Sequence, residues 1–291
     1  MTRRLGSEKD VPEIRIFVSC HKPYPVPEHP LLNPIQVGGA LAQERIPGFL
    51  QDDAGENISR KNRSYCELTA QYWAWKNIKS DFYGFFHYRR YLYPDLNAKR
   101  PYIIERLPTD ELLRQLCLSE LSEIAEGHDL IAPRGENMFL PVREHYGKSA
   151  FHHREDLALA ENIVRELYPS YAGALEEYLS QPVCYFGNIF LMKHELFDRY
   201  CTWLFSILDQ FDRSANVGGY NAAELRVDGY LAERLFGVFY TKCRSDNVRY
   251  VELPRVDFVT EGQARRKRKL LSLVLPPGTK RRAMAKRLYQ R

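Results

Sequence analysis

Short apolar runs alternate with amphipathic segments along most of the chain. Five apolar runs rich in β-branched or aromatic residues predict buried strands, at 14–20, 81–93, 128–133, 184–192 and 248–253. Segments whose apolar residues recur at helical spacing predict helices, at 63–77, 107–127, 144–180, 194–212 and 225–240. The alternation predicts an α/β fold, with a mixed, largely parallel sheet, helices on both faces and a helical insertion at about 144–180.

The stretch after the first predicted strand is rich in proline. Residues 22–34, KPYPVPEHPLLNP, hold five prolines, which excludes a regular helix there. We expect a loop over the carboxyl end of the strand, where α/β proteins bind their ligands. The following QVGGALAQ predicts either a short strand or a turn around Gly38 and Gly39.

Charge is distributed unevenly. Residues 263–291 carry eleven Lys and Arg and no acid, and since the whole chain has a net charge of +5, residues 1–262 sum to −6. We therefore expect an α/β domain over 1–262 followed by a basic tail. The acidic body argues against nucleic acid as a partner. The tail is either a segment that rests on an anionic membrane surface or a disordered basic tail.

The remaining composition is typical of a protein of the cytoplasm. The six cysteines form no C-x-x-C pair and no zinc-binding spacing, which indicates buried thiols in a reducing compartment. The first residues lack the apolar run of a secretory signal, and no stretch approaches 18 apolar residues. We expect a cytoplasmic location, with the tail offering peripheral attachment to the inner face of the membrane.

Three polar stretches beside apolar runs are candidates for chemistry. His21 and Lys22 follow the first strand, where they either cap the strand end or meet a ligand's phosphate or base. The loop from Asp52 to Asn62 is either a solvated turn or a binding loop. The third stretch, His87-Tyr88-Arg89-Arg90, ends an apolar run, either as an exposed cationic strand end or as a phosphate-binding site.

Strand geometry limits the third stretch. Because neighbouring residues of a strand face opposite ways, we expect at most one of Arg89 and Arg90 to point into any one pocket. The sequence has no Walker A motif, no G-x-G-x-x-G, no G-x-S-x-G, no H-E-x-x-H and no Asp-x-Asp. No metal site is therefore predicted.

Six segments in a fixed order resemble a known family. They are IRIFVSCHK, PIQVGGAL, DDAGENISRKNRSYCELTAQYWAWKN, YGFFHYRRYL, GNIFLMKHELFDRYCTWLF and GYLAERL. Together they resemble the bacterial capsular-polysaccharide and O-antigen synthesis domains whose hallmark is an HYRRY segment, over about residues 14–255. The resemblance implies a GT-A-like glycosyltransferase, and some members are similar to galactofuranosyltransferases that use UDP-galactofuranose.

The resemblance also assigns roles to matching positions. On the donor and diphosphate side it implies His21, Lys22, Asp52, Asn57, Ser59, Asn62, Tyr65, Glu67, His87, Tyr88, Arg89 and Arg90. Asn188 matches a strand near the acceptor, which would be a glycan or lipid-linked glycan. Asp228 and Glu233 match a late helix, and one of them is the expected catalytic base.

These positions suggest an inverting transfer from a UDP-sugar. We expect Arg89 or Arg90, helped by Lys22 or His21, to neutralise the departing diphosphate without an obligatory metal, with Mn²⁺ or Mg²⁺ as the open alternative. Asp228 is the preferred base over Glu233, because Gly229 permits close approach. The competing interpretation is a non-catalytic module that binds carbohydrate or nucleotide within a polysaccharide assembly complex.

Overall fold

The computed structural model describes residues 12–105, 118–259, 270–271, 273–275 and 279–289. Ten of the described strands form one mixed sheet and two form a small antiparallel pair. In chain order the strands are β1 Ile14–Cys20, β2 Leu32–Gln36, β3 Leu50–Gln51, β4 Phe82–His87, β5 Arg90–Leu92, β6 Tyr102–Glu105, β7 Leu130–Pro133, β8 Glu136–Asn137, β9 Val183–Cys184, β10 Phe190–Lys193, β11 Tyr250–Leu253 and β12 Arg255–Phe258.

Parallel pairs predominate in the large sheet. Its main order is β11-β7-β10-β4-β1-β2-β3, and β5 joins β4 to β12, which also pairs with β6. The central strand β1 is parallel to both β2 and β4. Strand β10 is antiparallel to β4 and β7, so it runs against its two neighbours in the middle of the sheet. The predicted mixed, largely parallel sheet is confirmed.

The helices occupy most of the sequence between the strands. They are α1 Asn62–Tyr65, α2 Leu68–Asn77, α3 Glu120–Gly127, α4 Val142–Gly147, α5 Arg154–Leu167, α6 Ala172–Ser180, α7 His194–Ser214, α8 Val227–Ser245 and α9 Lys280–Tyr289. No helix within the described ranges is both long and apolar enough to cross a membrane.

The sheet separates two apolar cores. Along β1, Phe17 faces a large core that includes side chains of α2 and α5–α8. Ile16 and Val18 face a second core, to which α3 contributes Leu121 and Ala125. Because both faces of the sheet are covered, its strands are apolar throughout rather than alternating with polar residues. Helices on both faces are therefore confirmed.

The helical block predicted at 144–180 consists of α4, α5 and α6. Their side chains, such as Tyr146, Ile163 and Tyr178, belong to the same large core as the sheet. The block is therefore packed onto the main body of the protein. Of the predicted helix at 107–127, residues 107–117 lie outside the described residues, as do 263–269 of the basic tail.

Strand β2 was not expected in the proline-rich stretch. Pro34 lies within it and pairs with Val18 of β1. Strand β3 pairs only with Ile35 and Gln36, so β2 has a single neighbour at Pro34 and the missing N–H interrupts no second ladder. After β2, Gly38 adopts a positive φ of 68° and a short 3₁₀ turn follows, so QVGGALAQ forms a turn.

Three elements predicted as continuous are broken by turns. Residues Tyr88 and Arg89 form a turn between β4 and β5. Cys66, with a φ of 51°, separates α1 from α2. Gly187 and Asn188, with φ of 102° and 50°, separate β9 from β10, and these two strands belong to different sheets. The first two breaks occupy two residues each and the third occupies residues 185–189, and the apolar pattern continues across all three.

Candidate active site

A cavity of about 760 Å³ opens at the carboxyl edge of the parallel strands. It is lined by residues that directly follow β4, β7 and β11, by α4 and by one face of α8. Ligand sites of α/β proteins lie at this edge, and the volume suits a ligand of nucleotide-sugar size.

One end of the cavity is cationic. His87, Arg89, Arg90 and Arg226 line it. His21 lies next to them, and its pKa is lowered by burial and then by the nearby cations Lys22, Arg89 and Arg226. Neither Arg89 nor Arg226 forms an ion pair with a described carboxylate. We refer to these five lining and flanking residues as the cationic end.

The ring of Tyr88 packs against residues of the cationic end. Its ring is buried and lies 5.1 Å from the ring of His21. The Arg89 guanidinium lies 5.1 Å and the Lys22 ammonium 5.9 Å from the same ring centroid. Tyr88 itself faces the second core rather than the cavity, so its contribution is to position the cations around it.

His87 is held neutral. Burial and the neighbouring cations Arg90 and Arg89 lower its pKa well below the usual value for histidine. The backbone N–H of Arg89 donates to Nδ1 of His87 at 3.2 Å, which leaves Nε2 as the protonated nitrogen. His87 is therefore a neutral hydrogen-bond donor beside three arginines.

Both arginines of the HYRR stretch line the cavity. The prediction that at most one would reach a single pocket was wrong, because the strand ends at His87 and the chain turns at Tyr88 and Arg89. Arg90 then opens β5 and pairs with His87 across the turn. Arg90 is partly neutralised by Asp257, at 3.8 Å, so Arg89 is the less committed of the two.

Two carboxylates reach the cavity beside the cationic end, and one turn holds both. The backbone N–H of Gly187 donates to Glu233 at 2.7 Å. The side-chain amide of Asn188 donates to Glu67 at 2.8 Å and to the carbonyl oxygen of Gly229 at 3.2 Å. The unusual backbone of this Gly187–Asn188 turn thus directs consecutive residues at two acids, one in the α1–α2 junction and one on α8.

Glu67 sits in an environment that favours its protonated form. Burial raises its pKa above the ordinary value, and the hydrogen bond from Asn188 partly opposes that shift. The residue before it, Cys66, has a φ of 51° and lies against Gly229, where an added Cβ would stand 3.2 Å from the Cys66 sulfur. Gly229 therefore lets the α1–α2 junction pack closely on α8, and the expected approach of an acceptor to Asp228 stays a prediction.

Asp228 lies behind the wall of the cavity. It is 1 % exposed and accepts a hydrogen bond from Ser64. Burial, together with the nearby Asp212, raises its pKa to about 7. Asp228 is not among the residues that line the cavity, whereas Glu233, one helical turn further along α8, is.

The polar loop from Asp52 to Asn62 forms a hydrogen-bonded support. Asp52 is fully buried and accepts from the backbone N–H groups of Gly38 and Gly39 and from the hydroxyls of Ser59 and Thr69. A carboxylate with four donors is fully engaged within the protein. Asp52 thereby fixes the glycine turn at the end of β2.

The other predicted donor-side residues of this region also bond within the protein. Asn57 donates to the carbonyl oxygens of Asp53 and Gly55. Asn62 donates to the carbonyl oxygen of Cys66 and to Thr69. Their donor-side role stays a prediction, since none of them lines the cavity.

Tyr65 belongs to the large core and its hydroxyl donates to Asp212 at 2.9 Å. The same carboxylate oxygen receives Lys61 at 2.7 Å. Tyr65 is not among the residues that line the cavity. Its hydrogen bond to Asp212 connects α1 to α7 and so helps to hold the α1–α2 junction in place.

Besides the predicted Glu233, helix α8 and the turn before it supply three cavity residues that the sequence alone did not single out. Arg226, Tyr230, Glu233 and Arg234 line the cavity and recur at helical spacing along one face. Arg234 is 2 % exposed, and its guanidinium lies 3.4 Å from Glu233 and 5.2 Å from the Phe186 ring. In the sequence, these residues could have been found as polar positions spaced three to four apart on an otherwise apolar predicted helix.

Several charged side chains of the cavity form ion pairs with one another. Arg255, at 3 % exposure, forms ion pairs with Glu136 and, at 3.7 Å, with Asp257. Within the described residues, no three His, Cys, Asp or Glu side chains converge in a metal-binding arrangement.

A solved structure shares the fold. It is titled "WbbM bifunctional glycosytransferase apo structure" and is 33% identical, with a TM-score of 0.80. The similarity covers 84% of this chain and 45% of that one, so the chain spans less than half the length of its structural relative. No protein of curated function gives a significant sequence match.

The sequence model of one family matches most of the chain. Its description is "Domain of unknown function (DUF4422)", and the match runs from residue 15 to residue 245. That range contains the cationic end, both cavity carboxylates and the Gly187–Asn188 turn, and it stops before β11, β12 and the tail. The chain therefore belongs to the DUF4422 domain family.

Proposed function

We propose that this chain is a glycosyltransferase that moves a sugar from a nucleotide diphosphate sugar to a glycan acceptor. The observation that carries the proposal is the close association, in one cavity, of the cationic end with Glu67 and Glu233. The fold shared with a structure titled as a bifunctional glycosyltransferase supports it. So does the position of the cavity at the carboxyl edge of the sheet.

In the proposed reaction, an acceptor hydroxyl attacks the anomeric carbon as the bond from that carbon to the diphosphate oxygen breaks. The diphosphate departs with the bonding electron pair, so negative charge grows on its oxygen. Arg89 and Arg226, which lack described carboxylate partners, stabilise that charge, and neutral His87 adds a hydrogen bond.

The acceptor's proton passes to a carboxylate. Glu233 and Glu67 line the cavity, whereas Asp228 lies behind it. Burial raises the pKa of Glu67, which makes its carboxylate a stronger proton acceptor once ionised. We therefore propose Glu233 or Glu67 as the base, in place of the initially preferred Asp228.

The finer assignments rest on the family resemblance and on the chemistry of the site. UDP is the proposed nucleotide, galactofuranose the proposed sugar, and inversion at the anomeric carbon the proposed stereochemistry. The product would be a bacterial surface glycan such as O-antigen or capsule. Cations of the protein, rather than an obligatory metal ion, are proposed to neutralise the diphosphate.

The acceptor is proposed to be a glycan or lipid-linked glycan at the cytoplasmic face of the membrane. The basic tail would attract the chain to that anionic surface, since its eleven Lys and Arg face no acid within 263–291. Such peripheral attachment would bring the cavity to acceptors that are carried in the membrane.

Binding of UDP and release of UDP from candidate UDP-sugars test the proposal. UDP should raise the melting temperature, and Arg89→Met should weaken UDP binding about tenfold or more, because a charge-assisted phosphate contact is lost. Arg60→Met is the matched control, since Arg60 is exposed and lies outside the cavity.

Three outcomes would contradict parts of the proposal. UDP binding without release of UDP from any donor, in the presence of acceptor glycans, would favour the non-catalytic binding module. Activity that disappears in EDTA and returns with Mn²⁺ would overturn the metal-independent charge stabilisation. Equal effects of Arg89→Met and Arg60→Met would remove the cationic end from the mechanism.

A further inference from the structure

The C-terminal segment, which the structure describes at 270–271, 273–275 and 279–289, lies outside the family match yet reaches the cavity. The match ends at residue 245, and Leu271 and Arg282 of this segment are among the residues that line the cavity. Part of the wall is therefore supplied by an extension that the family's matched region does not include.

Arg282 anchors the segment to the sheet. It is 9 % exposed, and its guanidinium lies 5.6 Å from the ring of Tyr102 in β6. The guanidinium of Arg255 lies 5.3 Å from the same ring. Arg282 also donates to the carbonyl oxygen of Leu275 at 2.9 Å, which joins the two helical parts of the segment. A buried arginine with these contacts fixes the segment against the cavity wall.

The same segment exposes large apolar side chains to solvent. Leu270, Leu273 and Val274 are 64, 70 and 67 % exposed, and Met284 is 54 % exposed. These are among the most exposed large apolar side chains in the described part of the chain. An apolar surface of this kind, concentrated in one short segment, indicates a partner.

The same segment also carries exposed positive charge. Lys280 and Arg281 are exposed, and in the sequence Arg265–Lys269 precede the segment directly. The combination of exposed leucines with flanking Lys and Arg and no acid matches the surface of a bilayer that contains anionic lipid. It fits a second copy of this chain less well, because the same tail would bring like charges together.

We infer that the C-terminal segment binds an anionic lipid surface while it forms one wall of the cavity, so that the cavity opens at the membrane. The inference deepens the proposed function and rests on it for the nature of the reaction. It specifies the acceptor as one carried on a lipid in the same membrane. Leu273, Val274 and Met284 enter the headgroup region, and Arg282 stays with the protein.

Flotation with vesicles tests the lipid contact. The full chain should bind vesicles of phosphatidylcholine mixed with phosphatidylglycerol, and should not bind phosphatidylcholine alone. Lys280→Glu with Arg281→Glu should weaken binding about tenfold or more. Leu273→Glu with Val274→Glu should do the same by removing the apolar contact. Leu96→Glu with Leu167→Glu is the matched control, since these exposed leucines lie elsewhere.

Hydrogen exchange tests the link to the cavity. Bound vesicles should slow exchange in 270–289 and also in β6, because the segment is held against Tyr102. Arg282→Ala should keep vesicle binding, since Arg282 is buried, but should abolish the slower exchange in β6. None of these measurements uses a nucleotide or a sugar, so their outcome is independent of the proposed reaction.

Four results would overturn the inference. The first is that the chain does not bind anionic vesicles. The second is that the Leu273→Glu and Val274→Glu variant binds them as well as the unsubstituted chain. The third is that vesicle binding leaves hydrogen exchange in β6 unchanged. The fourth is self-association that protects 270–289 without lipid, which would assign the exposed apolar side chains to a second copy of the chain.

Discussion

At the scale of single residues, the two cavity carboxylates can be separated by substitution. Glu233→Gln and Glu67→Gln keep shape and hydrogen bonding but cannot accept the proton, so the variant that lacks the base should transfer sugar about 10²- to 10⁴-fold more slowly. UDP binding should survive in both. Single-turnover rates with saturating donor measure the loss. A comparable, small effect of both substitutions would place the base elsewhere.

We expect Asp228 to affect the pH dependence of the protein's stability rather than its rate of sugar transfer. Its pKa is raised from 3.8 to about 7, so its contribution to stability is fully present below about pH 4 and is lost as pH rises through about 7. Asp228→Asn cannot ionise and so does not lose this stability at high pH. At pH 8 the variant should therefore be more stable than the unsubstituted protein by up to about 4 kcal/mol. At pH 4 the two proteins should be nearly equal.

Urea unfolding at the two pH values measures this difference. Asp81→Asn is the control, because Asp81 is exposed at the surface. An Asp228→Asn variant that is destabilised equally at both pH values would show that the hydrogen bond with Ser64, rather than the charge, dominates at this position.

The sequence predicted many of the site's residues but not their grouping. His87, Arg89, Arg90 and Glu233 were singled out and do line the cavity. Asn188 was assigned to the acceptor side, and its actual bonds go to Glu67 and the backbone of α8. Such partners are more than 40 residues apart in sequence, so no local pattern could pair them.

At the scale of elements, the packing of α6 on α8 depends on a glycine. An added Cβ at Gly237 of α8 would collide with the ring of Tyr178 in α6, which is fully buried. Gly237→Ala should therefore destabilise the protein by about 1–3 kcal/mol, despite the better helix propensity of alanine. Gly173→Ala in α6 is the matched control, because nothing lies within 4 Å of its added Cβ.

Thermal or urea unfolding of both variants measures the effect. Gly173→Ala should be neutral or slightly stabilising, since it gains helix propensity alone. A neutral Gly237→Ala would mean that Tyr178 can move aside, and the close α6–α8 contact would then not be a determinant of the fold.

Element type was predictable where apolar periodicity was strong, and element ends were not. β1, β7 and β11 appeared where apolar runs predicted them. The turns at Cys66, Tyr88–Arg89 and Gly187–Asn188 were missed, because their backbone is imposed by partners distant in sequence. Each missed turn borders the cavity, as expected where strain is tolerated for the sake of a site.

At the scale of the whole molecule, the shared core predicts cooperative unfolding. Trp73 packs against Phe17 of the sheet at 6.1 Å between ring centroids, and Trp203 against Tyr171 next to α6 at 5.0 Å. Variants that retain only one of these two tryptophans, with Trp75→Phe in both, should show fluorescence and circular dichroism midpoints that coincide.

An earlier fluorescence transition for the Trp203 reporter would show that α4–α6 form a separately unfolding unit. The packing argues otherwise, because side chains of these helices and of the sheet belong to one continuous apolar core.

The order of the strands in the sheet has a consequence for biosynthesis. Phe85 of β4 pairs with Phe190, and Arg90 pairs with Asp257. The early strands therefore leave the ribosome long before their neighbours exist, and the edge of β4 stays unpaired for much of translation. The cavity is complete only after Leu271 and Arg282, which line it, have been made. We therefore expect the nascent chain to be a client of chaperones until its C-terminal segment emerges.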